Sequence, residues 1–234
     1  MKVGIIQSNY IPWRGYFDFI DDVDLFIFHD DLQYTKGDWR NRNKIKTEGR
    51  TRWVTVPVKY GSKELLICNT PIDYSQAWTK KHINQFKTWY SRTPFFESYS
   101  HEFFYIMQKK HDTISGLNID LCHWIMKKIE IDTPTRLSSE LQPQGSKTER
   151  LIDLLKKVKA KTYLSGPSAK GYLDENLFRK HGISLDYKTY DYAPYPQLWG
   201  DFVGEVTVLD LLFNLGPNAR QYLKSQSSNH AVVR

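Results

Sequence analysis

Two short apolar runs near the start of the chain constrain the fold more than any other feature of the sequence. Residues 2–7 read KVGIIQ and residues 24–29 read DLFIFH, and both are typical of buried strands. Between them, apolar side chains recur every three to four residues from Tyr10 to Ile20, and Pro12 is tolerated in a first helical turn. We therefore predict a strand, a loop, a helix and a second strand, the unit from which parallel sheets are built.

The rest of the chain places a helical middle section between this unit and a second, similar corner. Residues 78–90 and 96–129 carry apolar residues at helical spacing, so we expect a helical insertion across about residues 76–130. Residues 161–173 then read as a strand that runs into a Gly- and Ser-rich turn and opens another helix. The two β-loop-α corners predict an α/β fold with a Rossmann-like, mostly parallel sheet, formed by residues 1–234 as a single domain.

Three local predictions accompany this fold. Residues 65–72 (LLICNTPI) read as a further strand. Ser146 and Glu149 have the spacing of a capping box at the start of a helix over residues 148–160. The polar tail after Lys224 is expected to be mobile.

Composition limits the compartment and the class of function. The two cysteines, Cys68 and Cys122, are too few for a disulfide scaffold and lack metal-ligand spacing, which favours a reducing compartment. The first residues lack the long apolar stretch and cleavage site of a signal peptide, and no run approaches the ~18 apolar residues of a membrane span. We expect a cytoplasmic protein without membrane insertion.

Positive charge is concentrated in one part of the chain. The formal net charge is +7, and eight Lys or Arg residues but only two acidic residues lie between Lys36 and Lys59. Such a segment attracts anions and suits a nucleotide, a diphosphate or an RNA backbone. A solvated basic face is the alternative.

An ordered set of short motifs runs from the first predicted strand to the last predicted helix. In chain order it comprises Gln7, Asn9, Tyr10, Pro12, Trp13, Gly15, Tyr16 and Phe17; Asp31 and Gln33; Asn41, Arg42, Asn43, Ile45 and Lys46; Thr55, Val56 and Pro57; Lys81 and His82; Leu164, Ser165 and Gly166; Tyr172 and Leu173; and Asp210 to Asn214. This pattern closely resembles the WbqC-like family of bacterial proteins from surface-polysaccharide gene clusters. The resemblance implies installation of an amino-acid or acyl substituent, such as glycyl, on an amino sugar nucleotide, and it supplies no mechanism.

The leading hypothesis is therefore a transferase or ligase that forms an amide on a nucleotide-linked amino sugar for O-antigen or surface-polysaccharide synthesis. An amine attacks an acyl group only when neutral, so a base must remove its proton. His82 is one candidate, because imidazole titrates near neutral pH and two lysines precede it, and Asp31 is the other. A histidine on a helix is more often a surface or core residue, and aspartate after a strand is common turn chemistry.

Candidate binding residues fall into three segments that offer amides, aromatic rings and cations. They are Gln7, Asn9, Tyr10, Trp13 and Gly15 beside the first helix N-terminus; Gln33, Asn41, Arg42, Asn43, Lys44 and Lys46 in and before the basic segment; and Ser165, Gly166 and Lys170 at the second corner. Helix N-termini and guanidinium groups favour anions, so we assign these residues to substrate and phosphate. The alternative for the first group is a packing role for Trp13 and Gly15 and helix capping for the polar residues.

The acyl donor and the oligomeric state stay open. An amino acid activated by ATP with Mg²⁺ would use the second corner as a phosphate site, whereas an aminoacyl-tRNA donor would use the basic segment with Trp39 and Trp53 for stacking. No histidine has HxxxH or HExxH spacing, so we expect no dedicated zinc site and no structural metal. The rival functions are a non-catalytic nucleic-acid-binding protein and a scaffold of a polysaccharide assembly complex.

Overall fold

The computed structural model describes residues 1–61 and 65–234, and its centre is a six-stranded sheet of order β5-β2-β1-β6-β7-β8 beside a separate hairpin, β3-β4. The strands are β1 (Lys2–Ile6), β2 (Leu25–Phe28), β3 (Arg42–Thr47), β4 (Arg50–Thr55), β5 (Thr135–Leu137), β6 (Thr162–Ser165), β7 (Ser184–Tyr187) and β8 (His230–Val233). Strands β5, β2, β1, β6 and β7 run parallel, and β8 is antiparallel to β7. The prediction of a Rossmann-like, mostly parallel sheet is confirmed.

Eight α-helices occur in the described part of the chain, and three short 3₁₀ helices accompany them. The α-helices are α1 (Arg14–Asp21), α2 (Trp78–Tyr90), α3 (Phe96–Gln108), α4 (Ile114–Lys128), α5 (Ser138–Leu141), α6 (Lys147–Lys157), α7 (Glu175–Lys180) and α8 (Val208–Leu215), and the 3₁₀ helices are Ile67–Asn69, Pro167–Gly171 and Gly216–Tyr222. Helices α2 to α4 lie within the region predicted as a helical insertion. None of the helices described is both long enough and apolar enough to cross a membrane.

The central strands are buried on both faces, which explains their continuous apolar sequences. Along β1, Val3 and Ile5 belong to one core cluster, which contains residues of α6 and α7. On β2, Phe26 and Phe28 belong to the other cluster, which contains residues of α1 to α4 and α8. Alternate residues of a strand face opposite sides of a sheet, so helices cover both sides.

Gly4 allows α1 to pack closely on β1. A β-carbon at this position would lie 2.4 Å from Cε1 of Phe19, a fully buried residue of α1. We expect Gly4→Ala to lower the free energy of unfolding by roughly 1–3 kcal/mol, because an overpacked core must shift side chains or backbone. Chemical denaturation measures this loss. Gly171→Ala is the control, since a β-carbon there meets nothing within 4 Å, and equal midpoints for the two variants would contradict the packing.

Two local predictions are wrong and one holds only in part. Residues 65–72 form no strand, because the Thr70 hydroxyl donates to the Leu66 carbonyl and the Thr70 amide to the Ile67 carbonyl, which closes a 3₁₀ turn. The tail after Lys224 is ordered as far as β8, which pairs with the open edge of β7 and buries Val233. Ser146 is the N-cap residue of α6, but its side chain makes no capping hydrogen bond.

Candidate functional site

A cleft of about 850 Å³ lies where the chain connections of the sheet change direction. Strand β1 has β2 on one side and β6 on the other, so the loops that follow β1 and β6 lead away from each other. Ligands of open α/β sheets bind in the crevice that such a switch point leaves at the carboxyl ends of the strands. The lining of this switch-point cleft includes Gln7 after β1, and Ser165 and Gly166 at the end of β6.

Aromatic rings and cations dominate the chemistry of the switch-point cleft. Trp13, Tyr163, Tyr172 and Tyr190 contribute aromatic surface, and Lys147 and Arg150 in the first turns of α6 contribute positive charge. Aromatic faces stack on bases or sugars, and a guanidinium group binds phosphate oxygens through paired donors. The volume lies within the ~300–1,000 Å³ of small-molecule sites. The cleft therefore has the size and groups for a nucleotide-sized anion.

Five of the residues predicted as binding residues meet in this cleft. They are Gln7, Asn9, Trp13, Ser165 and Gly166, contributed by two segments more than 150 residues apart. Parallel strands place their carboxyl ends at the same edge of a sheet, which explains why these two segments lie side by side. The Nη1 group of Arg40 donates a hydrogen bond to the Oδ1 atom of Asn9, which orients the Asn9 amide.

A second cavity of about 470 Å³ adjoins the switch-point cleft. Asn9, Trp13 and Tyr190 line both spaces. The second cavity is completed by Pro12, Trp39, Asn43 and Glu205. Two ligands bound side by side in these spaces would meet at the shared residues.

Gly15 is a packing residue that positions Trp13. A β-carbon on Gly15 would lie 2.4 Å from Cζ2 of the Trp13 indole, so glycine alone lets the ring rest against the first turn of α1. The Trp13 ring also makes edge contacts with Tyr190 and Tyr192, at centroid distances of 5.2 and 5.6 Å. Gly15 therefore acts on the cleft through Trp13 and not as a direct binding residue.

Tyr10 and His82 lie in the core rather than in either cavity. The Nε2 atom of His82 is 3.1 Å from the carbonyl oxygen of Thr55, which can only accept, so Nε2 carries the proton. Nδ1 then accepts from the Tyr10 hydroxyl at 2.9 Å. Burial lowers the pKa of His82 to about 4. Since both ring nitrogens are engaged, neither is free to accept a proton from a substrate. The structure therefore gives His82 a structural role and not the predicted role of the base.

The two asparagines of the basic segment make hydrogen bonds that hold the hairpin. Asn41 is buried, and its Nδ2 group donates to the carbonyl of Val56 at 2.7 Å. The Nδ2 group of Asn43 donates to the carbonyls of Tyr10 and Ile11 at 3.0 and 2.9 Å. Asn41 therefore has a structural role, and Asn43 combines one with a place on the wall of the second cavity.

The cations of the basic segment take different positions. Lys46 is buried, and its ammonium donates to the Gln197 side chain at 3.0 Å and the Asp201 carbonyl at 2.6 Å, so it is not available to a diphosphate. Arg42 and Lys44 instead lie over the Trp53 ring, at 4.3 and 5.5 Å from its centroid. Of Arg42, Lys44 and Lys46, only the half-buried Arg42 and Lys44 remain accessible to an anion.

Gln33 and Lys170, the remaining predicted binding residues, lie outside the walls of both cavities. Gln33 is exposed and forms an isolated β-bridge with Leu66. Lys170 places its ammonium 5.3 Å from the centroid of the Tyr187 ring.

A cluster of three titratable residues, His29, Asp31 and Arg150, borders the switch-point cleft. Arg150 Nη2 donates to Asp31 Oδ2 at 2.5 Å, and Arg150 Nε lies 3.4 Å from His29 Nε2. The Asp31 carboxylate is 3.8 Å from the same imidazole nitrogen. Burial lowers the pKa of His29 to about 4, against the opposing effect of Asp31, so the ring is neutral near pH 7. This cluster brings together a base, a carboxylate and a cation.

Sequence reasoning identified Asp31 and missed the other two members of this cluster. His29 directly follows β2, at the edge of the sheet where ligands bind, and that position is a signal the sequence carries. Arg150 lies 121 residues further on, in α6, and its approach depends on how that helix packs. In the described residues, no group of three or more His, Cys, Asp or Glu side chains is arranged to hold a metal ion.

Comparison with known proteins gives a family and one close relative. The chain is 44% identical to the uncharacterised protein Rv1507c of Mycobacterium tuberculosis over 226 residues, which cover 95% of this chain and 97% of the relative. No solved structure matches this chain. The family model for the WbqC-like protein family matches residues 7–222, nearly the whole chain. The protein therefore belongs to the WbqC-like protein family.

Proposed function

We propose that the protein is a transferase or ligase that forms an amide on a nucleotide-linked amino sugar, and that the switch-point cleft is its substrate site. The observation that carries this proposal is the cleft itself, which combines aromatic faces with the cations Lys147 and Arg150. The rings would stack on the base, and the cations would neutralise the diphosphate. Polar groups of Gln7, Asn9 and Ser165 would bind the sugar hydroxyls.

His29 is the base in this proposal. Without a ligand, its neutral imidazole faces the Nε group of Arg150. When a diphosphate engages Arg150, that guanidinium no longer opposes protonation of His29, and the Asp31 carboxylate favours it. His29 would then accept a proton from the substrate ammonium. The neutral amine would form a bond to the acyl carbon of the donor, the bond from that carbon to the donor's leaving group would break, and the second proton lost by the nitrogen would pass to that leaving group. Asp31 is a positioning residue here, because it holds Arg150.

Ligand binding is the first test. Purified protein is screened by thermal shift against UDP- and dTDP-linked amino sugars, the parent nucleotides and the free sugars. A ligand at a hundred times its Kd stabilises the native state by about 2.7 kcal/mol, which a melting curve resolves. We expect stabilisation by the sugar nucleotides, and stabilisation by none of them would favour the scaffold alternative.

Product formation is the second test. The protein is incubated with a stabilising amino sugar nucleotide, glycine and ATP with Mg²⁺, or with the same sugar nucleotide and glycyl-tRNA. Mass spectrometry then detects the added acyl group. A mass gain with one donor identifies the reaction, whereas no mass gain with either donor contradicts the proposed transfer.

Gln7→Ala is the sharpest variant for the substrate site. Gln7 is half-buried and lines the cleft, so we expect loss of its side chain to remove most of the ligand-induced stabilisation and to change the unliganded stability by less than roughly 1 kcal/mol. Gln108→Ala, an exposed glutamine at the end of α3, is the matched control. Asn9→Ala is less informative, because it also removes the acceptor of the Nη1 group of the buried Arg40. A Gln7→Ala protein that binds sugar nucleotide like wild type would remove this residue from the site.

A further inference from the structure

The β3-β4 hairpin and the turn before it together present two large aromatic rings to solvent. Trp39 and Trp53 are 41% and 42% exposed, and their ring centroids are 5.3 Å apart. The guanidinium of Arg42 and the ammonium of Lys44 lie over the Trp53 ring. We call Trp39, Arg42, Lys44 and Trp53 the hairpin face.

The hairpin face is continuous with the second cavity. Trp39 belongs to both, and Lys44 lies 3.7 Å from Glu205, which lines the cavity. From there, Asn9 and Trp13 lead into the switch-point cleft. A chain bound along the hairpin face would therefore place its end beside the proposed substrate site.

The chemistry of this face fits single-stranded nucleic acid. Proteins bind single strands by stacking bases on aromatic side chains and attracting the backbone with Lys and Arg. Apolar packing alone does not explain the face, because the Trp53 ring carries two cations that a polyanion would complement and a buried protein interface would have to desolvate. The end of the strand would enter a space lined by the amides of Asn9 and Asn43, the ring of Tyr190 and the carboxylate of Glu205. The Asn9 amide and the Glu205 carboxylate can bond to a base edge and to ribose hydroxyls, whereas the Asn43 amide is held by the carbonyls of Tyr10 and Ile11.

We infer that the hairpin face binds the single-stranded 3′ end of an RNA and that the second cavity holds the terminal nucleotide. The catalytic role of this RNA rests on the proposed function. The acyl donor would be the RNA itself, with the acyl group esterified to its terminal ribose. The amine nitrogen of the sugar nucleotide forms a bond to the ester carbonyl carbon, the bond from that carbon to the ribose oxygen breaks, and the proton lost by the amine passes to that oxygen. The transfer step consumes no ATP.

RNA binding is tested with fluorescently labelled hairpin RNAs that carry a four-nucleotide 3′ overhang, a four-nucleotide 5′ overhang or a blunt end. Anisotropy titrations at several salt concentrations give the dissociation constants. We expect the 3′ overhang to bind most tightly, with an affinity that falls as salt rises, because neutralised phosphates release counterions. Equal affinity for the three RNAs would overturn the inference, as would preference for the DNA version of the 3′ overhang.

The variants compare the hairpin face with a similar group elsewhere. Trp53→Ala is expected to weaken binding of the 3′ overhang by about tenfold, the loss typical of one stacked base. Lys44→Ala is expected to make the slope of log affinity against log salt concentration shallower, by the amount that about one phosphate contact contributes. Tyr105→Ala is the matched control, because Tyr105 is 64% exposed on α3 with the ammonium of Lys109 5.0 Å from its ring centroid. If Trp53→Ala and Tyr105→Ala bind RNA equally, the hairpin face is not the RNA site.

Sugar-nucleotide binding separates this inference from the proposed function. Trp53→Ala is expected to keep the wild-type thermal shift with sugar nucleotides, because Trp53 does not line the switch-point cleft. Stabilisation by sugar nucleotides without selective RNA binding would overturn the RNA site and leave the proposed substrate site intact. Selective RNA binding that depends on Trp53, without sugar-nucleotide binding, would support the RNA site and contradict the proposed transferase.

Discussion

Acidification from pH 6.5 to pH 4 is expected to lower the free energy of unfolding by several kcal/mol, because two buried histidines resist protonation. Burial lowers the pKa of both His29 and His82 from the ordinary 6.5 to about 4. Above pH 6.5 both residues are neutral in the folded and unfolded states, and the stabilisation is fully present. Between pH 6.5 and 4 only the unfolded state takes up the protons, so stability falls with pH. Each histidine accounts for about 3 kcal/mol once the pH is below 4.

Urea denaturation at pH 7, 6, 5 and 4 measures this dependence. His29→Gln and His82→Gln are each expected to remove about half of the slope of unfolding free energy against pH, even if the variants are less stable at pH 7. His101→Gln is the control, because the His101 side chain is 85% exposed on α3. Wild-type slopes in both buried-histidine variants would show that other groups cause the acid sensitivity.

Asp210→Ala is expected to destabilise the protein by roughly 3–5 kcal/mol, the loss typical when one partner of a buried charged network is removed. Asp210 is only 1% exposed in α8. Its carboxylate accepts hydrogen bonds from the hydroxyls of Tyr90 and Tyr195 at 3.0 and 2.9 Å and from the Nε2 group of Gln197 at 2.7 Å. Removing the carboxylate leaves the buried hydroxyls of Tyr90 and Tyr195 without their acceptor. Burial raises the pKa of Asp210, against the effect of these hydrogen bonds.

Thermal and urea unfolding of Asp210→Ala and Asp210→Asn test this network. The amide keeps one acceptor oxygen, so Asp210→Asn should lose less stability than Asp210→Ala. Asp132→Ala, at an exposed loop position, is the control and should change stability by less than about 0.5 kcal/mol. A loss below 1 kcal/mol in Asp210→Ala would mean that the network contributes little to folding.

The sequence was sufficient to predict the fold and the approximate location of the cleft. Residues 2–29 encode a strand, a helix and a strand through local periodicity alone, and the general geometry of parallel sheets then places the ends of β1 and β6 together. Gln7 and Ser165 were predicted as binding residues of two separate corners, and this geometry brings both corners to one cleft.

Side chains whose roles depend on tertiary packing could not be assigned in this way. His82 resembles a catalytic histidine in sequence, but the carbonyl of Thr55 and the hydroxyl of Tyr10 take up both of its nitrogens. Lys44 and Lys46 lie on the same face of β3, yet only Lys46 is buried, because the segment around Asp201 packs on its ammonium. No local pattern reports such long-range partners.

The central position of β1 has a consequence for the kinetics of folding. Val3 pairs with Leu25 on β2 and with Tyr163 on β6, so one edge of β1 closes through the connection that contains α1 and the other only after most of the chain. Pairings between distant residues form slowly. Until β6 docks, β1 and β2 present a row of unpaired backbone groups, which another molecule in the same state can pair with. During refolding, docking of β6 within one molecule therefore competes with association between molecules.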